Sequence, residues 1–365
     1  MKSINQTDNK NNKNLVCRKP DDIDILILTC HDWCNTAYRY QKSLEAVGYK
    51  VKLFKGAKHK FGYPVQAELR KSIQNGMKNI QPNVNPVRVH ISDDDELVAM
   101  IKRAKVINFH ASYYFQIDGI DWKDKKIVVT HGGTSYRKHA SICNSVFNNI
   151  ASHTLIQCPD LLNKGAINEH LIYYAVDTHF IRPHFDFISN EYITIGHFPS
   201  KPAVKGTAII NKVIDELSKK KFKNKFKYVG IHYDKNHIAQ HQVSWENQLK
   251  RLSQCDICIE TCQAFLNGQP YGEWGNTCLE ASALGKIVIT NTHTKDIYLK
   301  EYTTDYPLII ANSESDLIEQ LTTILNMDRS QLMELKQRFR RWVENNHSIK
   351  ATGTRLKKTI YSKLI

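Results

Sequence analysis

Short apolar runs of strand length alternate with helix-length segments along most of this 365-residue chain. The first run, Ile23-Asp24-Ile25-Leu26-Ile27-Leu28-Thr29, suits a strand buried on both faces. A polar turn follows over 30–35. A helix is expected over 37–47, closed by Gly48, and then a strand over 51–54. Strand, helix, strand in that order is the βαβ unit of a parallel sheet. The alternation continues with a helix over 96–104, strands over 106–109 and 126–130, a helix over 141–152 and an extended piece over 154–157. The segment 171–177 closes this half. After Pro183 the cycle restarts, with strands expected over 192–195, 226–230, 257–259, 286–290 and 308–310. Helices are expected over 205–217, 245–253, 276–284 and 314–325.

Two α/β cycles without a sequence repeat predict two Rossmann-like, doubly wound domains, one over 21–183 and one over 190–330. Residues 1–20, rich in Asn and Lys and without hydrophobic period, read as a disordered tail. The helices expected over 330–345 and 352–364 have no strand partner. The 331–365 region is therefore a candidate to cross back to the first domain. At 41% hydrophobic residues the chain can bury two cores, and 16 Gly and 10 Pro rule out a collagen-like class.

Nine cysteines, an odd number, and no apolar leader within the first twenty residues predict reduced thiols in the cytoplasm. No apolar run reaches membrane-spanning length. The formal net charge of +15 favours anionic partners, though a solvated basic face is the plain alternative. Basic runs at 219–227 and near the C-terminus fit peripheral docking on an anionic membrane at the cytoplasmic face, or nucleic-acid binding.

Ligands of open α/β sheets bind beyond the carboxyl ends of the strands. With two such edges facing one cleft, His131, 196–205 and 272–280 are expected near each other. The segment 269–289 runs from a Gly-containing loop into a helix. Unpaired amides and the positive dipole end at a helix start bind phosphate. Gly275, Asn276 and Thr277 fall at that start. Glu280, one turn in, is placed to accept hydrogen bonds from ribose hydroxyls. Lys205-Gly206, after the first strand of the second half, opens another helix, and its ammonium would stabilise a leaving diphosphate. The plain alternatives are a surface lysine and an ordinary helix with an exposed Glu.

Gly275, Glu280, Ala281, Ala283, Gly285, Lys286 and Val288 resemble the second half of the donor-binding motif of the retaining family 4 glycosyltransferases, which have the GT-B fold. Lys205-Gly206 resembles that family's diphosphate-binding pair, and 174–183 its interdomain segment. The resemblance implies two Rossmann-like domains facing a cleft, with an acceptor-side first domain, a donor-binding second domain and C-terminal helices. It also implies a nucleotide-sugar donor such as a UDP-sugar, an unknown acceptor in glycan, lipid or cell-surface polysaccharide biosynthesis, and no metal or other cofactor.

The family's first motif Glu corresponds to Gly272, so the sugar-contacting role falls to Glu273, one residue later. His131, in the loop 130–137, is a candidate beside the reacting centre, with a core or capping histidine as its rival. Arg137 could meet an anionic acceptor, and Asp32 is the acceptor-side candidate in the first βα turn. Cys255, Cys258 and Cys262 lack a second cysteine pair at zinc-site spacing. Glu260, ending the 257–259 strand, is a candidate to line the cleft, though it reads first as a solvated strand end. The other functional readings are a DNA- or protein-modifying glycosyltransferase, a nucleotide-sugar epimerase of the same fold, and a non-catalytic degenerate homologue.

Overall fold

A computed structural model describes residues 22–57, 61–63, 68–69, 86–92, 94–219, 222–230, 243–266, 268–271, 273–302 and 305–365. The tail expected over 1–20 and Gly272 lie outside the described residues.

The chain folds as α/β with two parallel sheets. The first has the order β3-β2-β1-β5-β7-β8-β9, where β1 is Ile23–His31, β2 Val51–Ala57, β3 Glu68–Leu69, β5 Ala104–His110, β7 Lys126–His131, β8 His153–Ile156 and β9 Glu169–Leu171. Between β2 and β1, Ile25 pairs with Val51; between β1 and β5, Ile25 pairs with Val106. A small parallel pair, β4 (Val87–Ile91) with β6 (Tyr113–Ile117), packs against it. The second sheet has the order β11-β10-β12-β15-β16, with β10 Ile193–Gly196, β11 Phe226–Tyr228, β12 Ile257–Ile259, β15 Ile287–Thr290 and β16 Ile309–Ile310. A hairpin, β13 (Phe265–Leu266) and β14 (Gln269–Pro270), precedes the helix that starts at Asn276.

The apolar character of β1 has a direct cause. Ile25 and Ile27 point into one core, with Tyr40 and Leu44 of α1 (Thr36–Glu45). Leu26 and Leu28 point into another, with Leu97 of α2 (Asp95–Arg103) and Phe147 of α3 (Gly133–Phe147). Period-two geometry thus buries both faces. Helix α3 kinks at His139 (φ −132°), so the start expected at 141 falls in its second segment, and a first segment opens at Gly133, whose φ of +71° follows β7. The sequence reading also lacks β4, β6 and the helix α7 (Lys295–Glu301), although β4, Val87-Arg88-Val89-His90-Ile91, alternates apolar and polar residues.

The second domain adds α4 (Thr207–Lys219), α5 (Trp245–Ser253), α6 (Asn276–Ala283) and α8 (Glu314–Leu325). Leu332, Phe339 and Trp342 of α9 (Arg329–Asn346) pack in its core. The chain then returns to the first domain, where Leu356, Ile360 and Tyr361 join the core around α1. Helix α10 (Ile349–Leu356) lies so close to α1 that a Cβ at Gly353 would overlap the Ser43 carbonyl oxygen.

Where the domains meet, Tyr173 stacks on Trp274 with ring centroids 4.1 Å apart. Arg340 ties the connector to the second domain, donating to the carbonyls of Thr178, Ile181 and Ala283. Both sheets therefore present their carboxyl edges to a shared, tightly joined cleft.

Candidate active site

Two cavities open in that cleft, of about 230 Å³ and 180 Å³, and both are lined by Tyr174, Lys205 and Gly275. The larger holds Glu280, Asn276 and Thr277 with an aromatic wall of Tyr63, Phe198 and Trp245. The smaller holds Arg137, Glu273, Tyr271 and Asn291. The loop–helix segment singled out in the sequence thus forms the partition between them.

Glu280 is buried at 2% exposure, not the solvent-facing carboxylate an isolated helix would present. Its Oε1 accepts from Trp245 Nε1 at 2.9 Å and from Arg39 Nη2 at 2.5 Å. Arg39 belongs to α1 of the first domain and is 4% exposed. Its Nη1 donates to Asn276 Oδ1 at 2.7 Å and to the Ala175 carbonyl at 3.2 Å. Burial pulls the guanidinium down, but the Glu280 carboxylate and the Tyr63 hydroxyl together raise it, so it stays charged. One side chain of the first domain therefore holds the start and the first turn of α6.

Lys205 meets Glu260, with Nζ to Oε1 at 2.7 Å. Glu260 is 4% exposed, which corrects its reading as a solvated strand end. It also accepts from Thr290 Oγ1 at 2.8 Å and from the Gly275 amide at 3.3 Å. Position explains this: β12 lies between β10 and β15, so a residue just past its carboxyl end faces the cleft centre. Burial lowers the Lys205 ammonium, and Glu260 more than offsets that, leaving it raised and protonated. Gly206 is required beside it. At φ +71° its missing side chain lets the backbone pass the Cys262 carbonyl, where a Cβ would overlap. His197 pins the same loop, bonding the Ile259 carbonyl at 2.7 Å and Thr207 Oγ1 at 2.8 Å.

In the smaller cavity, Glu273 accepts from Thr292 Oγ1 and from the His293 amide at 3.1 Å. Its carboxyl is raised by burial, the leading cause, against these hydrogen bonds. Across the cavity Arg137 pairs with Asp160 at 2.6 Å and lies over the Tyr271 ring.

His131 and Asp32 lie elsewhere. His131 is fully buried, stacked on Tyr136 at 4.0 Å, with Nδ1 at 2.8 Å from Ser112 Oγ. Burial lowers its pKa to about 3, so it is a neutral core histidine that lines neither cavity. Asp32, also buried, caps α1: it accepts from the amides of Ala37 at 2.8 Å and Tyr38 at 3.0 Å. The site residues missing from the sequence reading are Arg39, Trp245 and Tyr63. Glu260 did carry a usable signal, its place after a central strand. Among the described residues no cluster of three His, Cys, Asp or Glu side chains could hold a metal ion, and no helix is long and apolar enough to cross a membrane.

No family model and no curated protein sequence matches the chain. Solved structures do. HepE of Anabaena, in complex with UDP and glucose, aligns at a TM-score of 0.56 and 13% identity over 93% of this chain and 100% of that one. Sucrose-phosphate synthase of Thermosynechococcus elongatus aligns at 0.53 and 13% identity over 93% and 99%. A glycosyltransferase of Rickettsia africae aligns at 0.54 and 14% over 94% and 98%. With its two parallel sheets, facing edges and returning C-terminal helices, the chain has the GT-B fold of the glycosyltransferases.

Proposed function

We propose that this protein is a glycosyltransferase that moves a sugar from a nucleoside-diphosphate sugar to an acceptor hydroxyl, with retention at the anomeric carbon and without a bound metal or other cofactor. The observation that carries the reading is the partition of the cleft. Lys205 and Gly275 belong to both cavities, so a diphosphate there would join a nucleoside in the larger to a sugar in the smaller. Tyr63, Phe198 and Trp245 give the larger cavity an aromatic wall beside which a base would sit. Glu280 offers ribose hydroxyls its remaining acceptor sites, since a carboxylate has roughly four and Oε1 uses two.

As the bond from the anomeric carbon to the diphosphate breaks, negative charge builds on the leaving oxygens. The Lys205 ammonium has three N–H donors and gives one to Glu260, so the others meet that charge, together with the amides at the start of α6. Glu273 orients the sugar, Arg137 receives an anionic group of the acceptor, and the leaving phosphate takes the acceptor proton. HepE has been crystallised with UDP-glucose, which makes it the first donor to try. Glycan, lipid or cell-surface polysaccharide assembly at the cytoplasmic face of a membrane is the setting that fits such a reaction and a basic chain.

The test is nucleotide release by purified protein from a panel of UDP- and GDP-sugars. One donor should release nucleotide, and Lys205→Ala should slow that release by on the order of 100-fold. Neither binding nor release with any donor would sink the reading.

A further inference from the structure

Beyond the donor cleft, the carboxyl edge of the first sheet carries an aromatic group with no part in the site described above. Trp33 is 53% exposed although it sits in the loop leaving a central, fully buried strand. Its indole stacks on the His31 imidazole, with centroids 5.6 Å apart and planes 22° from parallel. Tyr113, at the start of β6, adds its ring 6.5 Å from His31 and its hydroxyl 3.4 Å from His31 Nδ1. The loops bearing these rings are held in costly conformations. Cys34, Asn35, Ala111 and Ser112 are all non-glycine residues at φ between 55° and 63°. A buried frame holds them: Thr36 Oγ1 bonds His110 at 2.7 Å, and Ser112 Oγ bonds His131 at 2.8 Å. Cys34, next to Trp33, lines the larger cavity.

We propose that Trp33, backed by His31 and Tyr113, is the platform on which a sugar ring of the acceptor stacks. The occupant follows from chemistry and position. One face of a pyranose is a patch of C–H groups that packs on an aromatic face, while its hydroxyls need polar groups at the rim. Trp33 gives the first and the half-buried His31 imidazole, backed by Tyr113, the second, on the opposite domain from Lys205 and one residue from the donor cavity. The proposal rests on the glycosyltransferase reading for the word acceptor, but saccharide binding at Trp33 is measurable without it.

The experiment uses the full chain with cellotriose, maltotriose and chitotriose as probes in saturation-transfer NMR, and UDP binding by calorimetry in parallel. At least one saccharide should receive saturation. Its affinity should fall at least tenfold in Trp33→Ala and stay within about threefold in Trp33→Phe, with UDP affinity unchanged in both. Saccharide binding without UDP binding would keep the platform and remove UDP as the donor nucleotide. UDP binding with no saccharide binding, or binding that survives Trp33→Ala, would overturn the platform. Conversion of a dimer to a monomer by Trp33→Ala would overturn it too, assigning the face to self-association.

Discussion

Replacing Arg39 by Met tests the central contact of the site. The substitution keeps an apolar stem in α1 and removes the guanidinium that donates to Glu280, Asn276 and the Ala175 carbonyl. Glu280 is then left at 2% exposure with Trp245 Nε1 as its remaining donor among these contacts. Removing one partner of a buried ion pair costs about 3–5 kcal/mol, because the other charge stays desolvated. For 365 residues, an unfolding entropy of about 2.1 cal/mol/K per residue makes that a fall in Tm of about 4–7 °C, if both domains unfold together. Differential scanning calorimetry measures it. Pairing Arg39→Met with Glu280→Leu should recover part of the loss, since the uncompensated carboxylate is gone while Trp245 Nε1, Asn276 Oδ1 and the Ala175 carbonyl still lack these partners. A single variant melting within about 1 °C of the parent, or a double variant no more stable than the single, would refute the claim that this pair is buried and coupled.

Gly206→Ala should destabilise the protein by roughly 2 kcal/mol or more, because φ +71° and the Cys262 carbonyl both reject a Cβ; urea unfolding reads this, and a neutral result would show that the loop carrying Lys205 can shift. Acid should unfold the protein through its buried histidines. Burial, the leading cause, holds His131 and His347 at about 3 and His110 at about 4, all below the ordinary 6.5. The unfolded chain therefore binds protons first, so their stabilisation is complete above pH 6.5 and is lost as pH falls toward 3, by about 2 kcal/mol per histidine at pH 5. Melts from pH 7 to 4.5 that show no fall in Tm would contradict this.

Much of this molecule was written locally. The runs that became β1, β7, β12 and β15, and the helix starts at Trp245, Asn276 and Glu314, follow from residues within a few positions of one another. Side-chain periods of two and 3.6 are local properties, and so is the rule that places strand ends at a cleft. That Lys205, Gly275 and Glu280 lie along one cleft was therefore legible from their places at strand ends and a helix start. Pairing was not. Arg39 lies 241 positions from Glu280, and Lys205 lies 55 from Glu260. No local pattern tells a helical arginine on a solvated face from one that reaches across to a carboxylate in the other domain. His131 shows the converse: its position at the end of β7 matched a site residue, yet Tyr136 and Ser112 enclose it. The sequence alone determined the two α/β layers and which strand edges face the cleft. Only the tertiary structure decided which charges are buried there and with whom, because the cost of desolvating a charge depends on neighbours that the fold, and not the chain order, brings to it.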